Sequence, residues 1–132
     1  MKKQLLKGNK LLEFSKKLFK KHQKEVINLI EDITKNKFKY RRFNFGLERG
    51  INYWALKKNK IIIGSESIKE PEKVLGSIIH EMIHINTYDN LQKEYAAGKA
   101  KTIEIWTVDK TNEILKKINS YNKTNFKLQN YD

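Results

Sequence analysis

Seven residues in the middle of the chain, Ile78-Ile79-His80-Glu81-Met82-Ile83-His84, restrict its fold more than any other stretch. Val74, Leu75, Ile78, Ile79, Met82 and Ile83 recur at helical spacing, which predicts a helix with its back buried in a core. Residues four apart lie about 40° apart around a helix axis, so His80 and His84 project from adjacent turns of one face. Glu81 falls on the flank of that face. A polar cluster on an otherwise apolar helix needs a partner for each of its members. A histidine pair alone would be ordinary packing; the intervening glutamate and the apolar flanks single this one out. Two neutral imidazoles at this spacing supply two corners of a zinc site. A third protein ligand would leave the fourth position open to water, with Glu81 placed as the general base for that water.

At 132 residues the chain fits one domain, residues 1–132, with a core over about 10–120 and a loosely held tail. The absence of cysteine excludes a disulfide framework, a thiolate zinc site and a cysteine nucleophile. The start, Met1 to Lys10, is basic but has no apolar signal-peptide core, and no stretch has the length of a membrane span. These features predict a soluble cytoplasmic protein with no membrane partner. The formal charge of +13, from 28 basic and 15 acidic side chains, would favour salt-sensitive contact with nucleic acid. The same excess fits a lysine-rich surface with no such role, since no nucleic-acid-binding signature accompanies it.

From about Lys10 to Lys35, Leu11, Leu18, Phe19, Val26, Leu29, Ile30 and Ile33 mark one long amphipathic helix, with His22 on its apolar side as a packing residue. Residues 37–65 change character. Three aromatic or β-branched runs, around Phe43-Phe45, Tyr53-Trp54 and Ile61-Ile62-Ile63, are separated by Gly46 to Gly50 and by Lys57-Lys58-Asn59. They predict three consecutive antiparallel strands with an edge able to pair with an extended peptide. Glu70-Pro71-Glu72 suits the start of the motif helix, and Gly76 stands one turn before His80. After the short connection Asn86 to Asn90, a second helix from Leu91 to about Trp106 would return antiparallel and set Glu94 opposite the histidines as a third ligand. Val108 to Ile118 continues or restarts the helical pattern near Asp109 or Thr111, and after Tyr121 a tail carrying Phe126, Leu128 and Tyr131 follows.

The motif together with the order helix, antiparallel strands, motif helix, second helix resembles the zincin metallopeptidase superfamily. The resemblance covers most of residues 10–106 and implies an α+β zincin-like fold and peptide-bond hydrolysis at Zn2+. His80 and His84 would be ligands, Glu81 the base, and a protein or peptide the substrate. Metzincins place a further histidine after the motif, and none follows His84 here. The phrase His80-Glu81-Met82-Ile83-His84 is similar to SprT-like proteases, whose later histidine and cysteine-rich ribbon are also missing. Gluzincins draw a glutamate from the next helix. Glu94-Tyr95-Ala96-Ala97-Gly98 is similar to the form of that phrase in the ImmA/IrrE-like and M48-like groups, with Gly98 in place of its final Asn or Asp. Glu104 is the alternative third ligand, twenty residues after His84 as in thermolysin-like enzymes. Short-loop helix pairing favours Glu94. Tyr95, Tyr88, Tyr53 and His22 are the candidates for stabilising an oxyanion. The competing reading is a basic nucleic-acid-binding protein with a structural or vestigial metal site.

Overall fold

The computed structural model describes residues 4–56 and 58–130. Met1 to Lys3 of the basic start, Lys57 of the expected turn and Tyr131 of the tail lie outside them. The elements run β1 (Leu6–Lys7), α1 (Gly8–Thr34), β2 (Asn44–Glu48), β3 (Tyr53–Leu56), β4 (Lys60–Gly64), β5 (Ile68–Lys69) and α2 (Pro71–Thr87). A 3-10 turn (Asp89–Leu91), α3 (Gln92–Ala96) and α4 (Ala100–Asn122) follow. This is an α+β arrangement of four helices, a small three-stranded mixed sheet and the two-stranded β1-β5 pair. Among the described residues no helix is long and apolar enough to cross a membrane.

The long amphipathic helix forms where its periodicity places it. Leu11, Phe19, Val26, Ile27 and Ile30 make the buried stripe of α1, and His22 is buried with them, edge-on to Phe126 at 5.3 Å. Burial, and then Lys21, hold the His22 imidazole below its usual pKa, which favours the neutral ring of a packing residue. The far ends of α1 and α2 are tied by a reciprocal pair: Asn36 Nδ2 donates to the Asn86 carbonyl (2.6 Å) and Asn86 Nδ2 to the Asn36 carbonyl (2.9 Å).

The sheet departs from the expected antiparallel run. β3 and β4 form the antiparallel hairpin, Tyr53 opposite Ile63 and Leu56 opposite Lys60. β2, however, lies on the other side of β4 and runs parallel to it, Asn44 opposite Lys60 and Glu48 opposite Gly64, giving the order β2-β4-β3. The reason lies in residues 49–52, which cross the end of β4 instead of folding back beside β2. Gly64 N–H donates to the Asn52 carbonyl (2.8 Å), Ser65 N–H to Glu48 (2.7 Å) and Glu66 N–H to Gly50 (2.8 Å). The crossing requires a bare backbone, since a Cβ on Gly64 would stand 2.4 Å from the Gly50 carbonyl oxygen. As the central strand, β4 is covered on both faces. Its unbroken Ile61-Ile62-Ile63, all fully buried, is the sequence of such a strand and not of a half-exposed one.

α2 packs its back on α1, the sheet and α4. Val74, Leu75, Ile78, Ile79, Met82 and Ile83 have no exposed surface. At about 1.5–3 kcal/mol for each buried aliphatic side chain, rotating this helix by a quarter-turn would cost far more than any polar contact on the opposite face could return. The core therefore decides where the two histidines point.

The chain after α2 differs from expectation in two ways. A single helix over Leu91 to Trp106 is replaced by the one-and-a-half-turn α3 and, after a break, by an uninterrupted α4. Gly98 makes the break at φ +78, a left-handed conformation open to glycine, with nothing within 4 Å of where its Cβ would be. Thr111 does not restart a helix, because its hydroxyl and that of Thr107 donate back to the carbonyls four residues earlier (2.8 and 2.7 Å) from inside α4. Nor is the tail loosely held. Phe126 N–H donates to Asn119 Oδ1 (2.9 Å), Lys127 N–H to the Glu72 carbonyl (2.9 Å), and Gln129 exchanges two hydrogen bonds with Asn112.

Candidate metal centre

With the apolar back of α2 fixed, His80 and His84 share its remaining face, their ring centroids 4.9 Å apart. Their side chains are 12% and 18% exposed, so each keeps a narrow opening to solvent. α4 crosses this face and delivers Glu104, one turn into the helix. Ile103 and Thr107, on either side of it, anchor α4 in the core, and the Glu104 carboxylate is left at the rim, 48% exposed. Its oxygens lie 3.1 Å from His80 Nε2 and 2.5 Å from His84 Nε2.

Among the described residues, His80, His84 and Glu104 are the group whose ligand atoms converge, all within 4.8 Å of one another. Glu94, the expected third ligand, is not in it. The expectation assumed that the helix after the short loop runs on unbroken opposite the histidines. Gly98 ends α3 first, so the carboxylate at the histidines comes from α4. Glu94 stays on α3, half-buried.

Each imidazole has its Nε2 turned inward to Glu104 and its Nδ1 turned outward to a partner. His80 Nδ1 lies 2.8 Å from Gln129 Oε1, and His84 Nδ1 lies 3.5 Å from the Tyr95 hydroxyl. An amide carbonyl oxygen only accepts, so His80 Nδ1 carries a proton toward Gln129, and in the neutral ring that tautomer would leave the Nε2 lone pair for a cation held between it and the Glu104 carboxylate. Burial, and then the proximity of His80, hold His84 below its ordinary pKa and favour the neutral ring that can bind a cation. Two ring nitrogens and a carboxylate aimed at one point are a donor set of the type zinc takes.

Glu81 is the fourth acidic or imidazole group on this face. Burial, and next the negative charge of Glu104, push its carboxyl up to about 8, with Lys69 opposing. Of the four oxyanion candidates, Tyr95 has its hydroxyl at the site. Burial, and then Glu104, raise its pKa, which keeps it a donor. Tyr88 packs against Tyr95, 5.8 Å between rings. Tyr53 is spent elsewhere, its hydroxyl 2.8 Å from Ser15 Oγ, and His22 lies in the core of α1.

Two clefts reach these residues. One, of about 680 Å³, lies between β3 (Ala55, Leu56), the Phe38 to Tyr40 segment and His84. The other, of about 760 Å³, is bounded by Lys69, Lys73, Lys101 and Gln129 and opens on His80 and Glu104. No motif or periodicity points to Gln129. Its one available signal was that the tail carries Phe126 and Leu128, residues with apolar surface to bury. Compared with family models, curated proteins and solved structures, the chain matches none.

Proposed function

We propose that the chain is a zinc-dependent metallopeptidase acting on a protein or peptide, with His80, His84 and Glu104 as metal ligands and Glu81 as general base. The observation that carries this reading is the convergence of two Nε2 atoms and a carboxylate beside a second, half-buried carboxylate. When bound there, zinc would supply Lewis-acid polarisation of a carbonyl and a lowered pKa for water. The protein's own groups account for the rest. Glu81 is held by the frame of α2 beside His80 but outside the ligand set; the positive charge of a bound ion would bring its carboxyl down from about 8 to the ionised form, in which it can take a proton from the attacking water and return it to the leaving amine. Tyr95 offers an O–H to the developing oxyanion. Among the described residues β3 is an edge strand, paired only with β4, and the cleft beside it is lined by Ala55, Leu56 and His84; an extended substrate chain would add to this edge by backbone hydrogen bonds.

The test is Glu81→Gln. The variant should fold, retain zinc at one ion per chain and lose cleavage of an unstructured protein substrate by at least about a hundredfold, as expected for loss of a general base. Unchanged cleavage would refute the base assignment. If no cleavage is found for the wild type and Glu81→Gln changes nothing measurable, the site is structural, and the +13 charge becomes the chief guide to function.

A further inference from the structure

We infer that Gln129, on the segment that follows α4, is a positioning residue for the metal site: it fixes His80 with Nε2 toward the ion. The inference rests on the metal-site reading above. Gln129 Oε1 accepts from His80 Nδ1–H at 2.8 Å, and this contact sets both the tautomer and the rotation of the ring.

A glutamine can hold a ligand in this way only if it is itself held, and here it is fixed from several sides. Its backbone N–H donates to Asn112 Oδ1 (2.7 Å), and Asn112 Nδ2 donates back to its carbonyl (2.8 Å), which pins residue 129 to α4. Three residues earlier, Asn119 clasps Phe126 in the same reciprocal fashion, Phe126 N–H to Asn119 Oδ1 and Asn119 Nδ2 to the Phe126 carbonyl, both 2.9 Å. Between the two clasps, Lys127 N–H reaches the Glu72 carbonyl in the first turn of α2. The segment thus bridges α4 and α2, the two helices that carry the ligands.

Gly76 makes the room. A Cβ there would meet Leu115 Cδ1 at 3.3 Å and Gln129 Cγ at 3.4 Å, so the bare backbone of α2 one turn before His80 lets both the Gln129 stem and α4 come close. The glycine in the motif helix, the two asparagine clasps and the glutamine form one device.

The test measures zinc affinity of the full chain by competition with a chromogenic chelator, alongside the melting temperature of the metal-free protein. Gln129→Leu should bind zinc about 10- to 100-fold more weakly, the usual cost of losing such a partner. Gln129→Glu, which still accepts from Nδ1–H and does so more strongly, should bind as tightly as wild type or tighter. Asn112→Ala should fall between. Gln129→Leu binding within about twofold of wild type would overturn the inference, as would Gln129→Glu binding as weakly as Gln129→Leu. If Gln129→Leu does not fold without metal, the comparison of Gln129→Glu with wild type decides, since a merely structural role predicts loss in both. Wild type that takes up no zinc would refute the metal reading and this inference with it; zinc-binding wild type matched by Gln129→Leu would refute this inference alone.

Discussion

Replacing Glu104 with alanine separates the two carboxylates that the sequence put forward as third ligand. Zinc held by a full set of four protein ligands yields about 10–16 kcal/mol, so one ligand of such a set is worth roughly 2.5–4 kcal/mol. Glu104 is 48% exposed, so water can enter the vacated position and restore part of this, leaving a net loss of about 2–3 kcal/mol. At 1.4 kcal/mol per decade, zinc affinity should fall about 30- to 150-fold. Alanine suits an exposed helical position, so α4 itself should be undisturbed. Glu94→Ala is the matched control, and because Glu94 stands outside the convergent group it should shift zinc affinity by no more than about twofold. The assay is competition with a chelator of known affinity, with circular dichroism to confirm that both variants keep wild-type helix content. The reasoning is refuted if Glu94→Ala loses zinc while Glu104→Ala keeps it.

Two further predictions concern the frame around the site. Gly64→Ala would drive a methyl group into the Gly50 and Asn52 carbonyl oxygens, backbone atoms that cannot rotate aside, and should destabilise by about 3 kcal/mol or more in urea unfolding; a loss below about 1 kcal/mol would contradict the crossing of residues 49–52 over β4. Burial alone would raise the Glu31 carboxyl, but the Phe38 amide (2.8 Å) and Arg41 (2.9 Å) outweigh it and leave it below the ordinary value of 4.5. A depressed folded-state pKa contributes stability that is present above the unfolded-state value and lost as pH falls through the folded-state one. Arg41→Ala should therefore cost about 1 kcal/mol near pH 7, modest because Arg41 is half exposed, and the cost should shrink toward about pH 3. An equal cost at both would show that the pair does not set the Glu31 titration.

What could be read from the sequence was what short-range periodicity determines. The stripe from Leu11 to Ile33 and the apolar back of α2 each follow from helical spacing, and the facing of His80 and His84 follows from the second of these. The Tyr53 to Ile63 hairpin was legible for the same reason. What could not be read depended on where the chain turned. Residues 49–52 look like an ordinary hairpin connection; only the packing of Gly50 on Gly64 makes them a crossing that places β2 parallel to β4. Gly98 was visible as a weak point in a helical pattern, but a glycine within a helix and a glycine that ends one have the same local sequence, and the choice moved the third carboxylate from Glu94 to Glu104. Gln129 lies 49 residues from His80, in a polar stretch whose order comes from Asn112 and Asn119. Hydrogen bonds between such distant residues leave no periodicity behind.

On this reading one ion sits where α2 and α4 face each other. Crystals grown with zinc, with data collected on both sides of the zinc absorption edge, test it most directly. A single anomalous peak is expected at about 2.0–2.2 Å from His80 Nε2, His84 Nε2 and a Glu104 carboxylate oxygen. No peak there, or a peak whose carboxylate is Glu94, would contradict it.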